Sequence, residues 1–456
     1  MKIIIIGLGR TGHMLISAMA SDNHDISVID KDAKLIDHIT DTFSVNGYVG
    51  SGASRETLLA AGAATADAIV ALTPVDEINL LSCMQAKSLG TRLSAARISM
   101  VDFAKEQDYL KKEYNIDTIL RPLEDVAEEI YHNVGMPGFT KLIGFWRRGI
   151  HLMDLNVPDD SPLCGHSLNF IKKTKEINTL VVAALRDGKL IIPDGEYIVE
   201  PGDNLTLVIS RDELEETLPK LGIRRKTVRK AMIIGGGVIT GYLLDLLEKD
   251  GIQVTVIDWD PDRCRYLMEC HQDSRIMYAG NSEPLEILRE ENINKMDMVM
   301  SLTDRDETNL VTSMYAWSAH IPSIVTCVAA PEHLRLLHRV NIDITVSPVE
   351  SAALRAMRFI RRNDGQKFEN EIGKFYIIAE GLAEIKELTA GADFLLLNIQ
   401  FKERRFRLKK NVLIAAIFRG GNLIVPSGDT TIQEGDKVIV AVSRKQKVQH
   451  LNDIAG

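Results

Sequence analysis

One stretch constrains this chain more than any other, because it occurs twice. Lys2 to Gly12 reads KIIIIGLGRTG, and Ala231 to Gly241 reads AMIIGGGVITG. Each is a β-branched, apolar run of strand character that ends in clustered glycines and passes into a helix-patterned segment. A strand that delivers the backbone to a turn lacking Cβ atoms, followed by a helix with unpaired N–H groups and a positive end, is a cradle for an anion such as phosphate.

The repeat extends over both halves of the 456 residues. Gly7 pairs with Gly235 and Asp30 with Asp258 at an offset of 228. Gly50, Thr73, Asp76, Glu77 and Asn79 pair with Gly280, Thr303, Asp306, Glu307 and Asn309 at 230, and Pro193 and Gly202-Asp203 pair with Pro426 and Gly435-Asp436 at 233. Each half opens with alternating strand and helix patterns. In the first, strands are expected at 2–6, 26–29, 68–72 and 95–99, then a short strand at 116–120 and a helix at 123–134. That alternation implies parallel strands covered by helices on both faces. Each half then turns β-rich: Leu180–Arg186 and Lys189–Ile192 flank the hairpin turn Asp187-Gly188, and Val412–Phe418 and Asn422–Val425 flank Gly420-Gly421. The expected fold is α/β, with two tandem Rossmann-like parallel-sheet domains, each followed by a small β-rich α+β lobe. The boundaries read as 1–138, 139–222, 229–362 and 370–456, with the basic stretch 222–230 as linker.

Composition narrows the class. Hydrophobic residues make up 45%, and no apolar run approaches the roughly 18 to 20 residues that span a bilayer. The N-terminus enters a strand at once, so no signal peptide and a cytoplasmic location are expected. With 54 basic and 63 acidic residues the net charge is -9, which disfavours a general nucleic-acid binder despite the basic clusters at 224–230 and 404–410. Five cysteines lie far apart without metal-site spacing and are expected to be reduced thiols.

In the first half, Gly7-Leu8-Gly9-Arg10-Thr11-Gly12 is a full G-x-G-x-x-G, and Asp30 follows 23 residues after Gly7 at the end of the next strand. Gly7 permits the tight turn, Gly9 the approach of a phosphate, and Gly12 close packing of helix on strand. Asp30 suits ribose hydroxyls and repels a 2′-phosphate, which favours NAD over NADP; an ATP or ADP ribose satisfies the same carboxylate. Arg10 adds a bidentate phosphate donor, and Arg97, ending a strand, could reach the same crevice. In the second half Gly235-Gly236-Gly237 and Asp258 remain. Thr240, however, stands where the third glycine should be and is expected to push the helix from the strand, and Cys327 replaces Arg97. In Ala71–Asn79 and its copy Ser301–Asn309, Thr with an acidic residue three positions on reads as a helix cap, with Pro74 at the first helical position. Asn79 and Asn309 are left for a packing or ligand role. His13 reads as an exposed helix residue.

These features together resemble the TrkA-like regulatory subunits of Trk-type potassium uptake systems, built from two tandem RCK (KTN) units. The residues that carry the resemblance are Gly7–Gly12, Asp30, Gly50-Ser51-Gly52-Ala53, Ala71–Asn79 and Arg97, their second-half copies, and the lobes containing Pro193-Asp194-Gly195 and Pro201-Gly202-Asp203. The resemblance covers essentially the whole chain. It implies a nucleotide-sensing, non-enzymatic subunit that binds NAD(H) or adenine nucleotides and assembles as a tetramer. The tetramer would form a gating ring on the inner face of the cell membrane, beneath a potassium-translocating subunit. It places nucleotide at Gly7, Leu8, Gly9, Arg10, Thr11, Gly12, Asp30, Ser51, Leu72, Thr73 and Arg97, with a weaker second site at Gly235, Gly236, Gly237, Asp258 and Thr303.

Two other classes stay open on the residues alone. An NAD-dependent oxidoreductase would need an acid/base group facing the nicotinamide, and none of the 11 histidines lies in a recognisable catalytic motif. A regulator of a different ion transporter, or a lobe binding another small ligand such as a cyclic dinucleotide, would share the same architecture.

Overall fold

The computed structural model describes residues 1–20, 24–101, 103, 106–136, 140–145, 150–177, 179–330, 333, 344–363, 372–379, 382–446, 448 and 450–456. Contacts group the chain into two compact units. The first holds 1–134 and 227–364, the second 135–226 and 365–456. Each unit therefore unites the corresponding part of the two repeats.

In the first unit, strands Lys2–Ile6, Asp25–Asp30, Asn46–Val49, Ala68–Ala71, Leu93–Arg97 and Thr118–Leu120 form one parallel sheet in the order 3-2-1-4-5-6. The second half repeats it with Lys230–Ile234, Gln253–Asp258, Arg275–Tyr278, Met298–Ser301, Ile324–Cys327 and Ile344–Val346, in the same order. The central strands read as unbroken apolar runs because helices cover both faces; Ile3, Ile4, Ile5 and Ile6 are all buried. The strand Asn46–Val49 escaped the sequence reading, since NGYV lies at a sheet edge and three of its four residues are exposed. The expected strand at 95–99 is displaced to Leu93–Arg97, and Ile98 donates its N–H to Leu120 O at 2.9 Å beyond the strand end.

Two helices join the halves of this unit. Pro122–His132 buries Val126, Ala127 and Ile130 in the core formed by the second sheet and helix Val238–Leu247. In return, Pro348–Arg362 packs against helix Arg10–Met19 and the edge strand Thr118–Leu120. A buried Val or Ile side chain contributes about 1.5–3 kcal/mol, so each half supplies part of the other's stability.

The second unit is built from two five-stranded antiparallel sheets. The first runs Lys189–Ile191, Leu180–Arg186, Asn204–Ser210, Ile150–Asn156, Thr140–Phe145; the second runs Ile372–Ile378, Ala383–Thr389, Lys437–Ser443, Val412–Arg419, Asn422–Ile424. Both expected hairpins form, with positive φ at Asp187 (52°), Gly188 (71°), Gly420 (58°) and Gly421 (90°), as a primed two-residue turn requires. The sheets share a core of Leu152, Val182, Ala183, Val208, Ile385, Ala416 and Ala441, among others. The recurring Gly-Asp turns serve this architecture. Asp203 takes a bidentate pair from Arg186 at 2.7 and 2.8 Å, and Asp436 one from Arg419 at 2.9 and 2.7 Å. Each clamps a turn to the strand beside it.

Candidate functional site

The glycine loop sits at the carboxyl end of the central strand, where the strand order reverses between Lys2–Ile6 and Ala68–Ala71. Open α/β sheets present their ligand crevice there. Gly7 has φ +90°, and a Cβ on it would lie 2.9 Å from Thr73 N, so Gly7, Leu72 and Thr73 are in close backbone contact. A Cβ on Gly12 would stand 2.1 Å from Gly7 O, so the glycine lets this helix start in close contact with the turn. Above Gly9 the space is open: a Cβ there meets nothing within 4 Å. No side chain caps helix Arg10–Met19, which leaves its first-turn N–H groups for a ligand. The site thus provides room, donors and a positive helix end for the phosphates of a nucleotide.

Asp30 has a structural task in the loop itself. Its Oδ2 accepts the Leu8 N–H at 2.6 Å and its Oδ1 the Asp32 N–H at 2.9 Å, so the carboxylate fastens the glycine loop to the neighbouring strand. Ionised carboxylate oxygens keep further lone pairs for ribose hydroxyls. Arg97 is half-buried, and its Nε finds no hydrogen-bond partner among the described residues. Burial lowers the pKa of its guanidinium, while nearby Asp76 opposes that shift. Arg10 lies exposed at the helix start. Ser51 belongs to a turn, accepting from Ala53 N at 3.3 Å through its hydroxyl and from Ser54 N at 2.9 Å through its carbonyl. Leu72 is a buried packing residue. His13 is half-buried rather than exposed, stacked on His38 with ring centroids 6.0 Å apart.

The segment after strand Ala68–Ala71 departs from its expected reading. Helix Asp76–Leu89 begins two residues beyond Pro74, and Thr73 is not its cap. The Thr73 hydroxyl is taken by Asn79. Asn79 Oδ1 accepts from Thr73 N at 2.9 Å and Thr73 Oγ1 at 2.7 Å, and its Nδ2 donates to Thr73 O and Arg97 O, both at 2.9 Å. Asn309 makes the same four bonds to Thr303 and Cys327 O, at 2.7 to 2.9 Å. The asparagine is a buried pin between two loops, with its amide fully used. Asp76 holds the next loop similarly, accepting Ser99 N at 2.8 Å and Met100 N at 2.7 Å. Its counterpart Asp306 accepts Ala329 N and Ala330 N, both at 2.9 Å, and contacts His333 Nδ1 at 3.0 Å. Burial works to raise the Asp306 pKa, but these donors hold it below the usual carboxylate range, with Arg10 adding a lesser pull.

The second cradle keeps its shape in spite of Thr240. Gly235 has φ +110°, Gly237 is extended at ψ -173° against -170° for Gly9, and the space above Gly237 is open. Thr240 is fully buried, and its hydroxyl donates to Gly235 O at 2.5 Å, satisfying the carbonyl that crowds Gly12 in the first loop. The Gly236 N–H donates to Asp258 Oδ2 at 2.5 Å, as Leu8 does to Asp30. The expected displacement of the helix is therefore absorbed by a hydrogen bond, and the turn survives. What differs more is Arg263, which donates to Asp304 at 2.7 Å and lies 3.7 Å from Asp260 and 4.0 Å from Asp258. The sequence reading passed over this pair. The signal was in the repeat, because Leu35 and Pro74 occupy the matching first-half positions.

Comparison with known proteins agrees with this layout. A TrkA-N domain matches residues 3–122 and again 231–348, and a TrkA-C domain matches 152–222 and 387–455. The chain belongs to the TrkA family. It is 27% identical over 459 residues to the Trk system potassium uptake protein TrkA of Haemophilus influenzae, covering 100% of this chain and 98% of that protein. A TrkA homolog of Archaeoglobus fulgidus is also 27% identical, over 447 residues covering 96% and 97%. Among solved structures, the GsuK channel superposes with a TM-score of 0.63 at 18% identity, over 97% of this TrkA-family chain and 77% of that one. The GsuK RCK domain gives 0.62 at 17%, over 97% and 92%. The doubled domain matches show two repeats in the TrkA-family chain, and the solved structures show that it shares its fold with the GsuK RCK domain. Among its described residues no helix is long and apolar enough to cross a membrane.

Proposed function

We propose that this TrkA-family chain is the nucleotide-sensing regulatory subunit of a membrane potassium uptake system. The observation that carries the reading is the first cradle: an open, uncapped glycine loop tied to Asp30, with Arg10 at the start of its helix. Relatives matched end to end are named as Trk system potassium uptake proteins, and GsuK, which shares the fold, has been solved bound to NAD and to ADP. The ligand is NAD(H), ATP or ADP. The loop Gly7-Leu8-Gly9-Arg10-Thr11-Gly12 takes its phosphates, Asp30 its ribose, and Arg97 a further phosphate, while Ser51, Leu72 and Thr73 shape the crevice. The chain acts without catalysis. In support, Asn79 and Thr73 are bonded to each other, and one oxygen of Asp76 takes two backbone N–H groups, so these residues are used in holding the loops.

The subunit works as a homo-oligomer, a tetrameric ring docked on the cytoplasmic side of a potassium-translocating membrane partner. A nucleotide moves such a ring only by the difference in its affinity for two arrangements. Nucleotides that differ in phosphate number engage Arg10 and Arg97 unequally and so favour different arrangements.

Calorimetric titration with NADH tests the ligand assignment. Asp30→Ala removes the ribose acceptor and loosens the loop at Leu8, and is expected to abolish most of the binding. Undiminished binding would sink the assignment. Affinity purification from solubilised membranes tests the partner, with a potassium-transport subunit expected in the eluate.

A further inference from the structure

The second cradle is intact as a turn, yet a side chain crosses its mouth. Asp258 ends the strand on one side of Lys230–Ile234, and Asp304 follows the strand on the other. A side chain joined to both therefore spans the carboxyl edge of the central strand, over Gly235–Gly237. Arg263 does this from helix Pro261–Cys270, with Asp304 at 2.7 Å, Asp260 at 3.7 Å and Asp258 at 4.0 Å. A nucleotide laid along this crevice, with its ribose on the strand-end carboxylate and its phosphates on the glycine loop, would pass through the same space.

We propose that Arg263 is the residue that decides occupancy of the second cradle, held by Asp304 as an internal latch that bars an adenine nucleotide. This rests on the reading that the first cradle binds such a nucleotide. The asymmetry between the two sites then arises from Arg263 and Asp304, with Thr240 a tolerated change. Leu35 and Pro74 cannot form the bridge, which leaves the first cradle open. The pair is exposed, 41% for Arg263 and 74% for Asp304, and an isolated exposed pair is weak. Here three carboxylates surround one guanidinium, and together they hold it across the opening. The charges also cancel: exchanging both residues for their first-half counterparts leaves the net charge of the site unchanged, so any gain in binding reports removal of the bridge.

The test separates the two cradles. Full-length protein is titrated with NADH as wild type, as Asp30→Ala, and as Asp30→Ala combined with Arg263→Leu/Asp304→Pro. A parallel combination with Arg263→Ala/Asp304→Ala guards against a folding defect from the new proline, and circular dichroism and melting confirm the fold of each. Loss of wild-type binding in Asp30→Ala supports the first-cradle reading. Recovery of about one site per chain in the combined variants, at least about tenfold tighter than in Asp30→Ala alone, supports the latch. Folded combined variants that stay silent would overturn it. So would a second event already present in Asp30→Ala that weakens when Arg263 is removed, since Arg263 would then be a ligand contact. A wild type that binds no NADH would instead fail the first-cradle reading.

Discussion

At the scale of single residues, the repeat marks two kinds of necessity that look alike in sequence. Gly12 recurs imperfectly because a threonine can answer the nearby carbonyl with its own hydroxyl, as Thr240 does to Gly235 O. Asn79 recurs faithfully because its short amide offers an acceptor to Thr73 and two donors to Thr73 O and Arg97 O at once, groups that glutamine carries one methylene further from the backbone. Asn79→Ala should cost about 1–3 kcal/mol, the penalty for buried polar groups left unpaired, as measured by urea denaturation. The same change should weaken NADH binding, because Gly7 rests on the loop that Asn79 pins. Destabilisation without any loss of affinity would show that the two loops are independent.

At the scale of elements, the exchanged helices Pro122–His132 and Pro348–Arg362 meet through Asp125, which pairs with Arg355 at 2.5 Å and accepts from Ser351 at 3.3 Å. Burial outweighs the attraction of Arg355 and pushes the Asp125 pKa up to about 6. A carboxyl whose folded pKa lies above its unfolded value stabilises the fold while protonated. Its contribution is lost as pH rises from the unfolded pKa towards 6. Wild type should therefore lose on the order of 1 kcal/mol through this group between pH 5 and pH 7. Asp125→Asn should flatten that part of the profile, read from urea denaturation at the two pH values. An unchanged slope in the variant would remove Asp125 from the account. Nothing in LEDVAEEI announces this; the helix reads as an ordinary amphipathic segment until it is seen packed on the other half.

At the scale of the whole molecule, helix Asp306–Ser318 presents Val311, Met314 and Trp317 to solvent, 50%, 56% and 58% exposed. Apolar residues at three-residue spacing on one exposed helix face suit a protein interface, and the proposed homo-oligomer supplies a partner. Trp317→Glu should shift the assembly to smaller species in analytical ultracentrifugation; an unaltered distribution would place the contact elsewhere. Sequence by itself determined the duplication, the two parallel sheets, the hairpins of the lobes and the first glycine loop. All of these are written in local periodicity and in glycines whose backbone role is set within a few residues. Tertiary structure alone decided how the repeats share their parts. Burial of Val126, Ala127 and Ile130 under the second sheet, and the common core of the two lobes, depend on contacts between residues far apart in the chain that leave no local pattern. It also decided what separates the cradles. In sequence the visible differences were the missing third glycine and Cys327 in place of Arg97, whereas in space Thr240 satisfies its neighbour and Arg263 reaches Asp304. A side chain's direction, and what lies within its reach, are settled only when the strands on either side of it are in place.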